Sequence, residues 1–397
     1  MARQVTLTSG AAAGRVTSSG IREIVNLVIS QPKDSVARLE IGEPDFVTPR
    51  HIVEAAHEQA LAGVGYTQSA GTPALRTAIA NRLKSSTGVT YSPEEIVVTA
   101  GGVQACSLVM SAILSPGDEV LVPDPAWPNY EMLVELHDAV PVHYPLEASR
   151  GFVPDPEAIA ALLTPRTRLI ILNSPGNPTG AVFPQEVVRA IVELARSRGV
   201  LVLSDEVYDE LIFDGQPANA VAIDRETVIG VYSFSKTYAM TGWRVGYVAS
   251  PSWLAQTLWM IQEPLVSCVS EVGQAAALAA LTGPRDEIDA MRERYRQRRD
   301  LVVGSLQNAG LEIAVPNGAF YVMFPFAKGT DSRRACLELV GAGVSLAPGT
   351  AFGTAATDQA RLSLSASEAT LGLGLDRLLS WYEHTDGGSH LSLAPRR

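Results

Sequence analysis

Between positions 96 and 249 the chain alternates short apolar runs with longer segments in which apolar residues recur at helical spacing. A short apolar run that ends in Gly, Pro or Asn is typical of a buried strand. When such strands alternate with helices, the favoured arrangement is a parallel sheet covered by helices. We therefore predict an α/β fold whose mostly parallel sheet has about seven strands.

Composition and charge exclude several classes of protein. The chain has 397 residues, 46% of them hydrophobic and 18% charged, which fits a globular protein of two domains. A net charge of −11 disfavours nucleic acid or an anionic membrane as the main partner, because both need a basic surface. The arginine-rich run over residues 292–299 has interleaved acids, so we interpret it as a solvated helix face.

The compartment is inferred from cysteines and apolar runs. The three cysteines are far apart and fit neither a disulfide framework nor a zinc site, so no metal is predicted. No apolar run is long enough to span a membrane, and the N-terminus has no signal core. We expect a cytoplasmic protein.

One lysine stands among small hydroxyl residues directly after a predicted buried strand. The strand covers Thr227–Val231, Ser233, Ser235 and Lys236 follow it, and Arg244 comes one short segment later. Most lysines are solvated surface charges, but burial at this point would lower the pKa of the amine and make it nucleophilic. The arginine offers a positive fork for a phosphate. A lysine that forms a Schiff base beside a phosphate-binding arginine indicates a pyridoxal 5'-phosphate (PLP) site.

Other predicted strand ends carry residues that suit such a cofactor. Gly101 and Gly102 open a helix whose free backbone N–H groups can bind phosphate, and Trp127 can stack on a flat ring. Asp205 ends an apolar strand, and a protonated pyridine nitrogen would be the partner that a buried aspartate needs. Asn177 can donate to a phenolate oxygen. Each of these residues can also be explained by a structural role in a turn, a helix or the core. The evidence that it binds a cofactor becomes strong only together with the lysine.

The segment from Tyr232 to Gly246 resembles the lysine motif of fold-type-I PLP enzymes, specifically the class I and II aminotransferases of the aspartate and aromatic type. Its pattern is Ser-x-Ser-Lys-x-x-x-x-x-Gly-x-Arg-x-Gly. Further matching motifs are GEPDF at 42–46, NPTG at 177–180, DE-x-Y at 205–208 and PG-x-x-FG at 348–353. The resemblance covers roughly residues 21–382, which is more than a single motif would give.

The resemblance implies a fold-type-I PLP transferase with a large cofactor-binding domain and a smaller α/β domain built from both termini. We expect the chain to divide into a flexible arm at 1–18, small-domain parts at 19–48 and 286–384, the large PLP-binding domain at 49–285 and a disordered tail at 385–397.

The resemblance also implies residue roles. The catalytic residues are Lys236, which carries PLP, Asp205 and Tyr208. The cofactor-binding residues are Gly101, Gly102, Val103, Trp127, Asn177, Asp205, Tyr208, Ser233, Ser235, Lys236, Arg244 and Tyr66. The substrate-binding residues are Gly42, Asn177 and Arg361. The arginine holds the substrate α-carboxylate, and Tyr66 reaches the phosphate of the partner subunit, which implies a homodimer.

The implied activity moves the amino group of an L-amino acid to a 2-oxo acid by a ping-pong mechanism. A PLP-dependent lyase or cyclase of secondary metabolism is an alternative, because it uses the same residues. A non-catalytic PLP-binding regulator is another, although such proteins usually carry an added DNA-binding domain and the N-terminal arm here is short and not basic. From the sequence no second cation can be placed against a distal carboxylate, and Phe320 and Tyr321 slightly favour an apolar or aromatic donor.

Overall fold

The structure, a computed structural model, describes residues 14–16 and 19–385. The helices, numbered here along the chain, are α1 Gly20–Ile29, α2 Arg50–Ala62, α3 Pro73–Thr87, α4 Gly101–Ile113, α5 Asn129–Leu136, α6 Pro156–Leu162, α7 Gln185–Arg198, α8 Ala220–Ile223, α9 Ser252–Val266, α10 Glu271–Thr282, α11 Asp286–Asn308, α12 Ser332–Gly341 and α13 Glu368–His384. The strands are β1 Ala37–Arg38, β2 Ile96–Thr99, β3 Glu119–Asp124, β4 Val140–Pro145, β5 Thr167–Asn173, β6 Leu201–Asp205, β7 Val228–Ser233, β8 Gly246–Ala249, β9 Tyr321–Pro325, β10 Val344–Ser345, β11 Ala347–Pro348 and β12 Gln359–Ser363.

Two predicted segments fall largely beyond this range. The predicted arm, except residues 14–16, and the predicted tail, except residue 385, lie outside the described residues. Over the described residues, no helix combines the length and the apolar character that crossing a membrane requires.

Seven strands form the central sheet, in the order β2-β8-β7-β6-β5-β3-β4. Strand β8 is antiparallel to both of its neighbours, and the other pairs are parallel. In β5, Leu169 and Ile171 belong to one apolar cluster, and Ile170 and Leu172 belong to another. Because alternate side chains point to opposite faces, both faces of the sheet are covered. The predicted α/β fold with a mostly parallel seven-stranded sheet is confirmed.

Strand pairing brings several strand ends, and the first residue of the antiparallel strand β8, to one edge of this sheet. Asn173 at the end of β5 is in register with Asp205 at the end of β6. Gly246, the first residue of β8, pairs with Ser233 at the end of β7 and with Thr99 at the end of β2. The residues that follow these ends therefore meet in the place where α/β proteins bind ligands.

The two terminal parts of the described chain share a second apolar core. Ile24 and Val28 of α1 belong to the same cluster as Leu375 and Leu378 of α13. Strand β1 pairs in parallel with β10, and β11, β12 and β9 form an antiparallel sheet. This is the smaller α/β unit built from both termini that was expected, whereas the domain boundaries given above stay predictions.

The interpretation of the arginine-rich run needs a correction. Arg298 and Arg299 on α11 are only 3% and 4% exposed. Arg298 donates to Asp45 at 2.7 Å and to Glu368 at 3.0 Å, and Arg299 donates to the carbonyl oxygen of Pro316 at 2.7 Å. Part of the predicted solvated face is thus a buried polar network, because α11 lies between segments that are distant in the sequence.

Candidate active site

A cavity of about 510 Å³ opens at the carboxyl edge of the central sheet, and α1 forms part of its wall. The predicted site residues that line it are Gly42, Gly102, Val103, Trp127, Asn177, Asp205, Tyr208, Ser233, Ser235, Lys236, Arg244 and Arg361. Gly101 is not a lining residue but lies against Arg244. Tyr66 is on the surface, in the loop between α2 and α3, and is 95% exposed. The structure therefore brings together all the predicted residues except Tyr66.

Lys236 follows β7 in a turn that orients its amine toward the cavity. Its Nζ donates a hydrogen bond to the carbonyl oxygen of Gly42 at 2.8 Å. The pKa of Lys236 is lowered to about 8, chiefly by burial and also by Arg361 and Arg244, whereas Glu43 acts to raise it. With such a pKa, about a tenth of the amine is neutral at pH 7, which is a large fraction for a lysine. The amine is thus prepared to attack a carbonyl.

Asp205 is a buried carboxylate, only 2% exposed, at the end of β6. Tyr130 of α5 donates a hydrogen bond to its Oδ2, and the N–H of Val207 donates to its Oδ1 at 3.2 Å. Burial raises the pKa of Asp205 to about 6, although both hydrogen bonds act to lower it. The carboxylate remains mostly ionised at neutral pH and suits a cationic ring nitrogen.

Tyr130 was not among the predicted site residues. Its ring packs edge-on against Trp127, with ring centroids 5.3 Å apart. The only signal in the sequence is its position three residues after that tryptophan, in the first turn of α5. Its partner Asp205 lies 75 residues away in the sequence, so no local pattern links the two.

An anion-binding corner forms where α4 begins beside Arg244. Gly101 starts this helix with φ of +80°, and a Cβ on it would overlap the guanidinium of Arg244. Arg244 donates to the carbonyl oxygens of Thr241 at 2.7 Å and of Ala100 at 3.2 Å. The residue before α4, Ala100, has no side chain that caps the first N–H groups. Together the helix terminus and the guanidinium suit a phosphate.

A second cation lies elsewhere in the cavity. Arg361 of β12 is 3% exposed and donates to Asn177 Oδ1 at 2.9 Å and to the carbonyl oxygen of Glu40 at 2.6 Å. Its guanidinium lies over the ring of Tyr321, 4.4 Å from the centroid. Among the described residues its buried Nε has no hydrogen-bond partner. A carboxylate would match this fixed guanidinium.

Tyr321 gives Gly42 a structural role in addition to the substrate-binding role that the resemblance implies. A Cβ on Gly42 would overlap the hydroxyl of Tyr321, which is hydrogen-bonded to the hydroxyl of Tyr208 at 2.8 Å. The glycine therefore makes room for this tyrosine, while its carbonyl oxygen accepts from Lys236. Of the two aromatic residues that favoured an apolar donor, Tyr321 lines the cavity and Phe320 does not.

Comparisons with known proteins identify the family. The sequence matches the family model "Aminotransferase class I and II" over residues 34–378. Aspartate/prephenate aminotransferase from Thermus thermophilus is 40% identical over 354 residues, which cover 87% of this chain and 91% of that protein. A probable N-acetyl-LL-diaminopimelate aminotransferase from Bacillus subtilis is 39% identical over 373 residues, which cover 92% of this chain and 93% of that protein.

Solved structures agree with these relatives. Aspartate aminotransferase from Thermus thermophilus with maleate matches with a TM-score of 0.91 and 36% identity, covering 94% of this chain and 100% of that chain. Alanine aminotransferase from Pyrococcus furiosus matches with a TM-score of 0.91 and 30% identity, covering 95% of this chain and 100% of that chain. The resemblance in the motifs is confirmed, and the chain belongs to the class I and II aminotransferases, enzymes of fold type I.

Proposed function

We propose that this protein is a PLP-dependent aminotransferase that moves the amino group of an L-amino acid to a 2-oxo acid in two half-reactions. The observation that carries the proposal is an amine of lowered pKa, Lys236, in a cavity that it shares with the cations Arg244 and Arg361. The names of the relatives, which include aspartate/prephenate and LL-diaminopimelate aminotransferases, support the same reaction.

The residues around the cavity fit PLP. A lysine with a pKa of about 8 suits the aldehyde, and the buried carboxylate of Asp205 suits the ring nitrogen. The start of α4, which has no capping side chain, and the adjacent guanidinium suit the phosphate. Four cations line the same cavity although the whole chain carries a net charge of −11, so the site is locally prepared for anions.

This proposal assigns binding residues to each part of the cofactor. With PLP bound, Lys236 would hold the aldehyde carbon, Asp205 would keep the ring nitrogen protonated, and Trp127 would pack against the ring. Tyr208 and Asn177 donate to the ring oxygen. The phosphate is held by Ser233, Ser235, Arg244 and the first turn of α4 with Gly101, Gly102 and Val103.

The reaction needs two residues to act on the amino acid. When bound, PLP supplies an electron sink for the negative charge at the substrate α-carbon. Arg361 binds the α-carboxylate and fixes its orientation, with Asn177 and Gly42 beside it. With PLP bound, Lys236 Nζ would act as the base that takes the α-proton and then as the acid that returns it. Its pKa of about 8 lets it act first as base and then as acid.

We propose further that the enzyme is a homodimer in which Tyr66 reaches the partner's phosphate site. Tyr66 lies outside the cavity of its own subunit, and Leu61 and Val64 in the same region are 75% and 57% exposed. A second subunit would cover these apolar side chains. The three free cysteines support a reducing compartment, and we propose the cytoplasm.

The test uses purified protein with PLP and a panel of L-amino acids. A donor alone should convert the bound cofactor to pyridoxamine phosphate, and a 2-oxo acid should convert it back, as followed by absorbance and mass spectrometry. Release of ammonia, a thiol or a cyclised product without pyridoxamine phosphate would instead support a lyase or a cyclase. Binding of PLP with no spectral response to any amino acid would support a non-catalytic regulator.

A further inference from the structure

Helix α1 supplies one wall of the cavity. Ile21, Arg22 and Val25 of this helix line the cavity, whereas Ile24 and Val28 are buried in the core that the two termini share. These residues lie on adjoining faces of one helix, so one face anchors the helix and the next shapes the cavity. The lining residues of this wall are thus one arginine, which is exposed, and two partly buried aliphatic residues.

Arg22 is the cavity cation that the proposed function does not use. The lining cations are Lys236, Arg244, Arg361 and Arg22, and the first three are assigned to the aldehyde, the phosphate and the α-carboxylate. Within residues 14–16 and 19–385 Arg22 makes no ion pair, and its neighbour Glu23 pairs with Arg333. The guanidinium is thus available for an anion that enters the cavity.

The two glutamates that line the cavity do not occupy Arg22. Glu40 is bound by Arg38, with a shortest distance of 2.7 Å, and accepts from Ser345. Glu43 accepts a hydrogen bond from Thr241 and raises the pKa of Lys236, which opposes the effect of burial. Their charges are directed elsewhere, so neither glutamate neutralises the positive charge that Arg22 contributes to the cavity wall.

We propose that Arg22 is a specificity-determining residue that selects amino donors with a second, distal carboxylate. This inference rests on the proposed function, in which Arg361 takes the α-carboxylate. Ile21 and Val25 on the same wall suit an aliphatic linker between the two carboxylates. A donor with an uncharged end would gain nothing from the guanidinium and would displace water from it.

The test compares ligands of matched length on the PLP-loaded enzyme. Glutarate carries two carboxylates and pentanoate carries one, and both lack the amino group that reacts. Calorimetry should show that Arg22→Gln weakens glutarate binding about 5- to 30-fold and changes pentanoate binding by less than about 2-fold. Arg22→Lys should recover part of the loss. Arg189→Gln, an exposed arginine of α7 outside the cavity, is the matched control and should change neither.

Steady-state kinetics give an independent readout. The wild-type enzyme should show a higher kcat/KM for glutamate and 2-aminoadipate than for glutamine and norleucine, and Arg22→Gln should reduce this preference about tenfold. An equal effect of Arg22→Gln on both ligands, no effect on glutarate, or a wild-type preference for the neutral donors would overturn the role of Arg22 and leave transamination standing. If no donor is transaminated, the proposed function fails, while the glutarate comparison still decides whether Arg22 binds a carboxylate.

Discussion

At the scale of single residues, reactivity depends on how neighbours change the pKa of a buried group. The pKa of Lys236 falls from 10.5 to about 8 chiefly through burial, so the neutral amine accumulates as the pH rises through that value. We expect the apoenzyme to take up PLP roughly tenfold faster at pH 9 than at pH 7, because the neutral fraction rises by about that factor. Stopped-flow absorbance measures the rate. A rise of about a hundredfold over this range would show that the pKa is not lowered, because the neutral fraction of an amine with a pKa of 10.5 rises by about that factor.

Replacing the same lysine tests its part in the chemistry. Lys236→Ala should abolish the borohydride-reducible link to PLP and lower amino transfer by about 10²–10⁴-fold or more, since both the covalent attachment and the general base are lost. Lys84→Ala, an exposed lysine on α3, should leave both unchanged. Undiminished turnover by Lys236→Ala would refute the assignment.

We expect the hydrogen bond from Tyr130 to lower the pKa of Asp205. Tyr130→Phe removes a donated hydrogen bond that lowers the pKa of Asp205, so that pKa should rise above its present value of about 6. We expect PLP to bind roughly tenfold more weakly at pH 7, with a larger loss as the pH falls, because less of the carboxylate is ionised. Fluorescence titration measures the affinity. Tyr144→Phe, which removes a buried hydroxyl bonded to Ile171 O, is the control and should not share this loss.

Residues within long motifs were predictable, and residues that act through tertiary contacts were not. Lys236, Asp205 and Arg361 each follow or lie in a strand and belong to a recognisable pattern. Arg22 reaches the cavity only because α1 packs against the C-terminal part of the chain, so nothing in the sequence around it marks the residue.

At the scale of elements, the start of α4 depends on a glycine. Gly101→Ala would strain a backbone with φ of +80° and displace the guanidinium of Arg244. Gly117 has nearly the same strain, with φ of +84°, but an added Cβ there meets nothing within 4 Å. Both substitutions should destabilise the apoenzyme by about 1 kcal/mol, whereas only Gly101→Ala should weaken PLP binding, by roughly tenfold. Equal PLP affinities in the two variants would argue against a phosphate site at this corner.

The long helix α11 carries both buried and exposed arginines. Arg298 forms ion pairs with Asp45 and Glu368, and only 3% of its side chain is exposed. Arg292 forms an ion pair with Asp289, and 42% of its side chain is exposed. Because the carboxylate partners are partly solvated, we expect Arg298→Met to cost about 2 kcal/mol of unfolding free energy and Arg292→Gln less than about 0.5 kcal/mol. Urea denaturation of the apoenzyme measures both free energies of unfolding. Similar losses in the two variants would mean that burial of Arg298 adds nothing to stability.

The strands of the large sheet were predictable for a simple reason. A strand covered on both faces must be apolar at nearly every position, and β5 and β6 show such runs in the sequence. Strands β1 and β10 have two residues each, which is too short for a pattern of apolar residues to predict them. Their pairing joins Ala37 to Val344, which lie far apart in the sequence. The burial of Arg298 was missed because its partners lie 253 and 70 residues away.

At the scale of the whole molecule, the proposed dimer makes a site that two subunits share. Co-expressed Lys236→Ala and Tyr66→Ala chains would form hybrids in which one cavity has its lysine from one subunit and its tyrosine from the other. We expect such hybrids to recover activity that neither parent has, with sedimentation showing a dimer. Recovery would be absent if Tyr66 served the cavity of its own subunit, and a monomeric wild-type protein would refute the dimer itself.

The pairing of β1 with β10 has a consequence for how the protein is made. Ala37 leaves the ribosome roughly three hundred residues before its partner Val344. Helix α1 therefore cannot pack into its apolar core until most of the chain has been synthesised. Until then the cavity lacks the wall that carries Arg22, although every strand of the central sheet has already emerged. Nascent chains stopped before residue 344 should therefore be cut by proteases within residues 20–40 while the sheet resists them.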